Sequence, residues 1–205
     1  MIYKELDPPD WDQLSTISQR TADEQMPYYL RRFFGQSPEV DILNQLCVST
    51  GGVVTHVDHL VLHAYGIVVV DSRGVSGRLQ VMEDGRWMRR ENRQLVDMPS
   101  PIAAAQTQMQ SLKAFLDKKV RQKGFFERIE FDLVVAVPDL DAIEWPPSGP
   151  LPGVCNADRV PRRVNELLAS YRSDQGSPGL LVAEQRRRLA AFFCAKHRSA
   201  TAMAQ

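Results

Sequence analysis

Hydrophobic and polar positions follow two different periods along this chain, and the change between them divides it into elements. Residues 10–34 read as an interrupted helix, with Pro27 at a break or a first helical position. Tyr28, Tyr29, Leu30, Phe33 and Phe34 form its apolar set, and Gly35 ends it. Ser37, Pro38 and Glu39 then fit the cap, first position and first turn of a second helix. Ile42, Leu43, Leu46 and Cys47 supply the apolar stripe of that helix. Gly51-Gly52 is punctuation, and beyond it the period is that of strands. Val53 to Leu62 alternates, and Tyr65-Gly66 reads as a tight turn. Ile67 to Val70 is a continuous apolar run of the kind found in central buried strands. Gly77 to Met82 is a third strand, Glu83-Asp84-Gly85 a hairpin turn, and Arg86 to Arg90 a fourth strand.

Ser100 and Pro101 open a long helix that reaches about Val120, with Ile102, Met109, Leu112, Phe115 and Leu116 facing the core. Ile129 to Val137 is a fifth strand. Residues 140–158 read as loop, marked by Pro146, Pro147, Pro150 and Pro152. Two helices near 160–171 and 181–196 follow, separated by Gly176-Ser177-Pro178-Gly179. The order predicts an α/β domain with one mixed central sheet flanked by helices. It divides into an N-terminal helical extension (1–36), a core (37–158) and C-terminal helices packed on that core (159–205).

Composition adds little until charge is counted by segment. The chain has 205 residues, 43% of them hydrophobic, as in ordinary globular proteins. Lys plus Arg and Asp plus Glu number 25 each. A net charge of zero speaks against a strongly basic nucleic-acid binder. The charges are blocky, however: −6 over residues 1–85, +6 over 86–128, −6 over 129–158 and +6 over 159–205. Separate acidic and basic surfaces are therefore compatible with neutrality. Cys47, Cys155 and Cys194 are far apart and lack metal-ligand spacing, so they read as reduced thiols in a cytoplasmic protein. The first residues have no apolar signal region, and no stretch is long and apolar enough to span a membrane.

The candidate chemistry lies on two adjacent strands. Asp58 interrupts one apolar strand, and Asp71 ends the next, with Arg73 two residues beyond. Carboxylates in such runs are costly unless paired or metal-bound. Two that meet at one point repel, and Mg²⁺ or Mn²⁺ would remove that penalty while serving phosphodiester hydrolysis. Arg73, on the same face as Asp71, could hold the attacking water or the charge that develops on phosphorus. The plainer alternative makes Asp58 an edge residue and Asp71–Arg73 a turn ion pair.

The surroundings of these residues resemble a family. The stretches Val57-Asp58-His59-Leu60-Val61-Leu62 and Gly66-Ile67-Val68-Val69-Val70-Asp71-Ser72-Arg73-Gly74, then Trp87, then Ser100-Pro101-Ile102, are similar in order and type to the nuclease-related domain, NERD. The resemblance implies a restriction-endonuclease-like fold and a metal-dependent nuclease acting on DNA. It implies that Asp58, Asp71 and the Ser72 carbonyl hold Mg²⁺ or Mn²⁺, that Glu39 is the helix acid, and that Arg73 contacts the scissile phosphate. Two positions depart from the pattern. Arg73 stands where the family has Lys, and Arg is planar and gives up no proton near neutrality. The family's helix Gln would fall at Ala103 or Ala104, with Gln106 and Gln108 out of phase. These departures imply an alternative: a catalytically inactive nuclease fold that binds nucleic acid or a protein partner.

Three further features are weighed against plainer roles. His59 and His63 share one strand face and His56 takes the other, which favours packing over metal ligation. Trp87 reads as core more than as a base-stacking ring. Arg86, Arg89, Arg90 and Arg93 could face phosphates or could simply protect a sheet edge with charge.

Overall fold

The computed structural model describes residues 1–7, 17–74, 78–91, 93–120, 124–138, 143–175 and 179–198. The expected helical start at 10–16, Gly77 and the separator Gly176-Ser177-Pro178 lie outside the described residues.

Two sheets, not one, form the frame. The larger contains β1 (Ile2–Lys4), β2 (Val40–Thr50), β3 (Val53–His63), β4 (Gly66–Ser72), β8 (Glu130–Val137) and β10 (Val154–Asn156), in the order β1-β2-β3-β4-β8-β10. The smaller contains β5 (Arg78–Val81), β6 (Trp87–Glu91), β7 (Gln94–Met98) and β9 (Ile143–Glu144), in the order β7-β6-β5-β9. In the larger sheet, β2, β3 and β4 form an antiparallel meander, and β8 joins β4 in parallel. The helices are α1 (Ile17–Phe34), α2 (Pro101–Lys119), α3 (Val160–Gln175) and α4 (Ala183–Lys196). This is a mixed α/β architecture with a mixed sheet flanked by helices.

The residues expected to form a second helix after Ser37 instead form β2. Its burial is nearly continuous on both faces, and Ile42, Leu43, Leu46 and Cys47 are all buried. Apolar residues spaced i, i+1, i+4 and i+5 suit a helix stripe, but a strand covered on both faces needs no alternation. The loop expected at 140–158 contains β9 and β10, and β7 adds a strand beyond the expected hairpin.

Each face of the larger sheet has its own core. Met26, Leu30 and Phe34 of α1 pack with Val61, Val68 and Val70 of the sheet and with Val160 and Val164 of α3. On the other face, Leu112, Phe115 and Leu116 of α2 and Phe193 of α4 pack on Leu60, Leu62, Ile67 and Val69. Because α1 and α3 share one core, residues on either side of the 36 and 158 boundaries are packed together. A third cluster joins the two sheets: Leu79, Val81 and Trp87 of the smaller meet Ala105 of α2 and Val135 of β8. Trp87 is thus a core residue, 1% exposed.

Gly66 shows how closely the strands approach. A Cβ there would lie 2.0 Å from the Glu130 carbonyl oxygen on β8. Neither backbone can yield without opening the β4–β8 ladder. Gly66→Ala is therefore expected to cost roughly 3 kcal/mol and to lower Tm by about 6–12 °C. Thermal unfolding followed by circular dichroism checks this, and an unchanged Tm would contradict the packing.

Candidate active site at the ends of β3 and β4

The β3–β4 ladder pairs His59 with Val70, so one residue further on Asp58 comes opposite Asp71. The hairpin thus brings the two sequence-predicted carboxylates together. Asp71 is the penultimate residue of a strand whose every residue is buried, and is itself 1% exposed. Asp58 is half-buried. Its Oδ2 accepts a hydrogen bond from the Ser72 backbone N–H at 2.8 Å.

The position of Asp58 has a local cause. Along β3, Thr55 and Val57 are buried on one side of it, but Leu60 and Leu62 take over that face beyond it, so the alternation slips by one. On β2 the register runs Asn44↔His59 and then Leu46↔Val57, which places Gln45 opposite Asp58. Gln45 has a φ of +48°, a left-handed conformation uncommon for a residue with a side chain. Its Oε1 accepts the Asp7 N–H at 2.8 Å, which ties the kink to the N-terminal segment. Such kinks re-aim a side chain near a site, and here they free Asp58 from both cores.

The electrostatics follow from burial and repulsion. Desolvation, and then the charge of Asp71, push the Asp58 carboxyl up to about 7, while the Ser72 N–H and Arg73 oppose the rise. The charge of Asp23 on α1 adds to the rise. Desolvation also raises Asp71, opposed by the hydrogen bond and charge of Arg73. Arg73 Nε donates to Asp71 Oδ2 at 2.6 Å. The other oxygen, Oδ1, is buried and has no hydrogen-bond partner among the described residues.

The remaining predicted residues distribute unevenly. Glu39 is not a helix acid. It precedes β2, is exposed, and accepts from Arg172 of α3 at 2.6 Å. The helix carboxylate that acts on Asp58 is Asp23, half-buried on α1. Sequence reasoning missed it by treating that helix as an extension. Ala103 and Ala104 are exposed on α2. Gln108, by contrast, lies on the buried stripe of α2 between Ala105 and Leu112, in phase and not half a turn away. Its Oε1 is buried without a partner among the described residues. The arginines of β6 and of the turn before it are paired with acids: Arg86 with Asp84 at 2.7 Å, Arg89 with Glu91, and Arg90 with Glu144 of β9 at 3.8 Å. His59 and His63 are buried on one face of β3, and His56 is exposed.

This donor set fits a hard cation. Two raised carboxyls stand on adjacent strand positions, and one buried anionic oxygen is unsatisfied. Among the described residues, no group of three His, Cys, Asp or Glu side chains could enclose a metal ion. Water and a phosphate would complete the shell, which is the usual arrangement for Mg²⁺.

The raised Asp58 has a consequence for stability. A carboxyl whose folded value lies above its unfolded one contributes its full stability below the unfolded value and loses it as pH rises through the folded value. That window runs from about 4 to about 7. Asp58→Asn keeps an acceptor for the Ser72 N–H and has no charge to lose. In metal-free buffer the variant is expected to exceed the parent by roughly 2–4 kcal/mol at pH 8, with the gap closing towards pH 4. Denaturant titrations across this range check the sign; a parent that is the more stable at pH 8 would contradict it.

Comparison with known proteins is sparse but informative. No curated protein and no solved structure matches the chain. The family model of the nuclease-related domain matches residues 19–138, from α1 through β8. That span contains Asp23, Asp58, Asp71, Arg73 and Gln108, and it covers more than half of the chain. The chain belongs to the nuclease-related domain (NERD) family.

Proposed function

We propose that this chain is a Mg²⁺- or Mn²⁺-dependent phosphodiesterase acting on DNA, with its site at Asp58 and Asp71. The observation that carries the reading is the unsatisfied buried Oδ1 of Asp71 beside the raised carboxyl of Asp58. Asp58, Asp71 Oδ1 and the Ser72 carbonyl would hold the ion. When bound, the ion would supply charge to the phosphate and acidify a water. The chain's own residues orient and exclude. The Ser72 N–H fixes Asp58. Arg73 is part-exposed at the mouth, where it can turn from Asp71 to a phosphate oxygen. Gln108 offers a buried amide oxygen on the helix that covers this face. Holding the ion would require Asp58 as a carboxylate, so its carboxyl, pushed up to about 7 without a metal, would give up its proton on binding.

One observation favours the second reading, a catalytically inactive nuclease fold that binds nucleic acid or a protein partner. Arg73 already neutralises one oxygen of Asp71 at 2.6 Å, where the family has a shorter, more flexible Lys. A fixed guanidinium there weakens the demand for a divalent ion.

The two readings separate in one set of measurements. Mn²⁺ titration by calorimetry and cleavage of a labelled duplex are run on the parent, Asp71→Ala, Arg73→Lys and Glu39→Ala. The enzyme reading expects Mn²⁺ binding and Mn²⁺-dependent cleavage by the parent, and loss of both in Asp71→Ala. It expects several-fold tighter Mn²⁺ binding in Arg73→Lys. Glu39→Ala should match the parent, because its carboxylate is paired with Arg172 away from the site. A parent that neither binds Mn²⁺ nor cleaves DNA sinks the enzyme reading. Because the β6 arginines are internally paired, binding to DNA should show a shallow salt dependence.

A further inference from the structure

The α1-facing side of the sheet holds a buried polar chain that neither core requires. Asn44, His59 and Ser72 are 1%, 1% and 2% exposed. They come from three adjacent strands, β2, β3 and β4, and their neighbours on that face are Ile42, Val61, Val70 and Ala136. Three polar side chains among branched aliphatics are costly unless joined. They are joined end to end. His59 Nδ1 lies 2.9 Å from Asn44 Oδ1, and His59 Nε2 lies 3.0 Å from Ser72 Oγ.

The direction of each bond follows from what each atom can do. Asn44 Oδ1 only accepts, so His59 Nδ1 must carry the proton. His59 Nε2 is then a lone pair, and the Ser72 hydroxyl must donate to it. The ring is buried and both of its nitrogens face uncharged partners, so it is neutral. The tautomer is therefore fixed, and the Ser72 hydroxyl has one orientation. Asn44 Nδ2 is buried without a hydrogen-bond partner among the described residues, a cost that packing alone would not select.

Ser72 is also the residue that touches the candidate site. Its backbone N–H holds Asp58 Oδ2 at 2.8 Å. Its peptide lies between Asp71 and Arg73, and the next N–H, that of Arg73, is tied to the Ala136 carbonyl at 2.9 Å. The side chain thus fixes the residue from the α1 face while the backbone fixes Asp58 at the strand end. Neutral donors do this without adding charge to a site that already carries two carboxylates.

We infer that Asn44, His59 and Ser72 form a neutral strut that holds the Ser72 peptide, and through its N–H the Asp58 carboxylate, in the geometry that receives a cation. These are positioning residues. The inference rests on the metal-site reading for the cation but on hydrogen bonds alone for the strut. Outer-shell partners of this kind affect metal affinity by about 10–100-fold when removed.

Two readouts test it on the full chain. The first is amide hydrogen exchange by NMR at residue 72, against Val69 and Val134 as core references. Ser72→Ala and His59→Leu are expected to speed exchange at residue 72 by at least about tenfold beyond any change at the references, and Ser72→Thr, which keeps the hydroxyl, to restore protection. Global destabilisation would instead speed all three amides together, and that result, or no change at residue 72, overturns the strut. Ser72→Ala removes a single oxygen, which guards against loss of the fold if His59→Leu does not fold. The second readout is the Mn²⁺ dissociation constant, expected to rise about 10–100-fold in Ser72→Ala and to recover in Ser72→Thr. Unchanged Mn²⁺ affinity in Ser72→Ala overturns the role in the site. A parent that binds no Mn²⁺ but shows the local exchange response upholds the strut and sinks the metal reading instead.

Discussion

Asp71 is a fully buried carboxylate at the end of a strand with no other charged residue, and the rest of the site depends on how its charge is met. Leaving such a group unpaired costs several kcal/mol. Arg73 meets half the need, through one oxygen. The second oxygen has no partner among the described residues, and the residue opposite it across the ladder is another acid, Asp58. A fold built only for stability would place an apolar residue at either position. Both acids are kept, and both are raised by their surroundings. That pairing of cost with convergence is the usual signature of a functional site.

The strands around this charge serve it from both faces. The kink at Gln45 and the slip at Asp58 release one carboxylate from its core. The Asn44–His59–Ser72 chain braces the same strand end from the α1 face. On the α2 face, Ala105, Gln108 and Leu112 form a stripe in which one polar residue stands between two apolar ones. The parallel partner β8 contributes only backbone and the apolar Val135 and Ala136. The sheet thus sets position through its ladders, and a few buried polar groups set orientation.

Sequence pattern reached the centre of this arrangement and missed its flank, for physical reasons. The hairpin of β3 and β4 was legible because Ile67 to Val70 can only be a buried strand, and Tyr65-Gly66 can only turn. Register then brings Asp58 to Asp71 without further information. The segment after Ser37 was not legible. Buried on both faces, β2 has no alternation, and its apolar spacing mimics a helix. That one misreading moved Glu39 into the site, whereas the chain places it in an exposed ion pair with Arg172. It also hid Asp23, because the true first helix then looked like an appendage. Gln108 needed the helical phase of α2, set by Ala105 and Leu112, which the apolar stripe alone places to within a residue or two.

Arg73 is the residue on which the two functional readings turn, and the reason is geometric. A Lys at this position ends in a compact ammonium on a flexible stem, able to leave a carboxylate for a water or a phosphate. Arginine reaches Asp71 through Nε, close to the backbone, so this contact does not use the two terminal nitrogens of a part-exposed side chain. The same contact that weakens the case for a cation at Asp71 therefore presents a planar pair of donors at the mouth of the site. Planar donors suit phosphate oxygens. On this view the departure from the family pattern exchanges proton-handling for phosphate-holding. Asp58 would not restore the proton-handling, because holding a cation requires its carboxyl, pushed up to about 7 without one, in the ionised form.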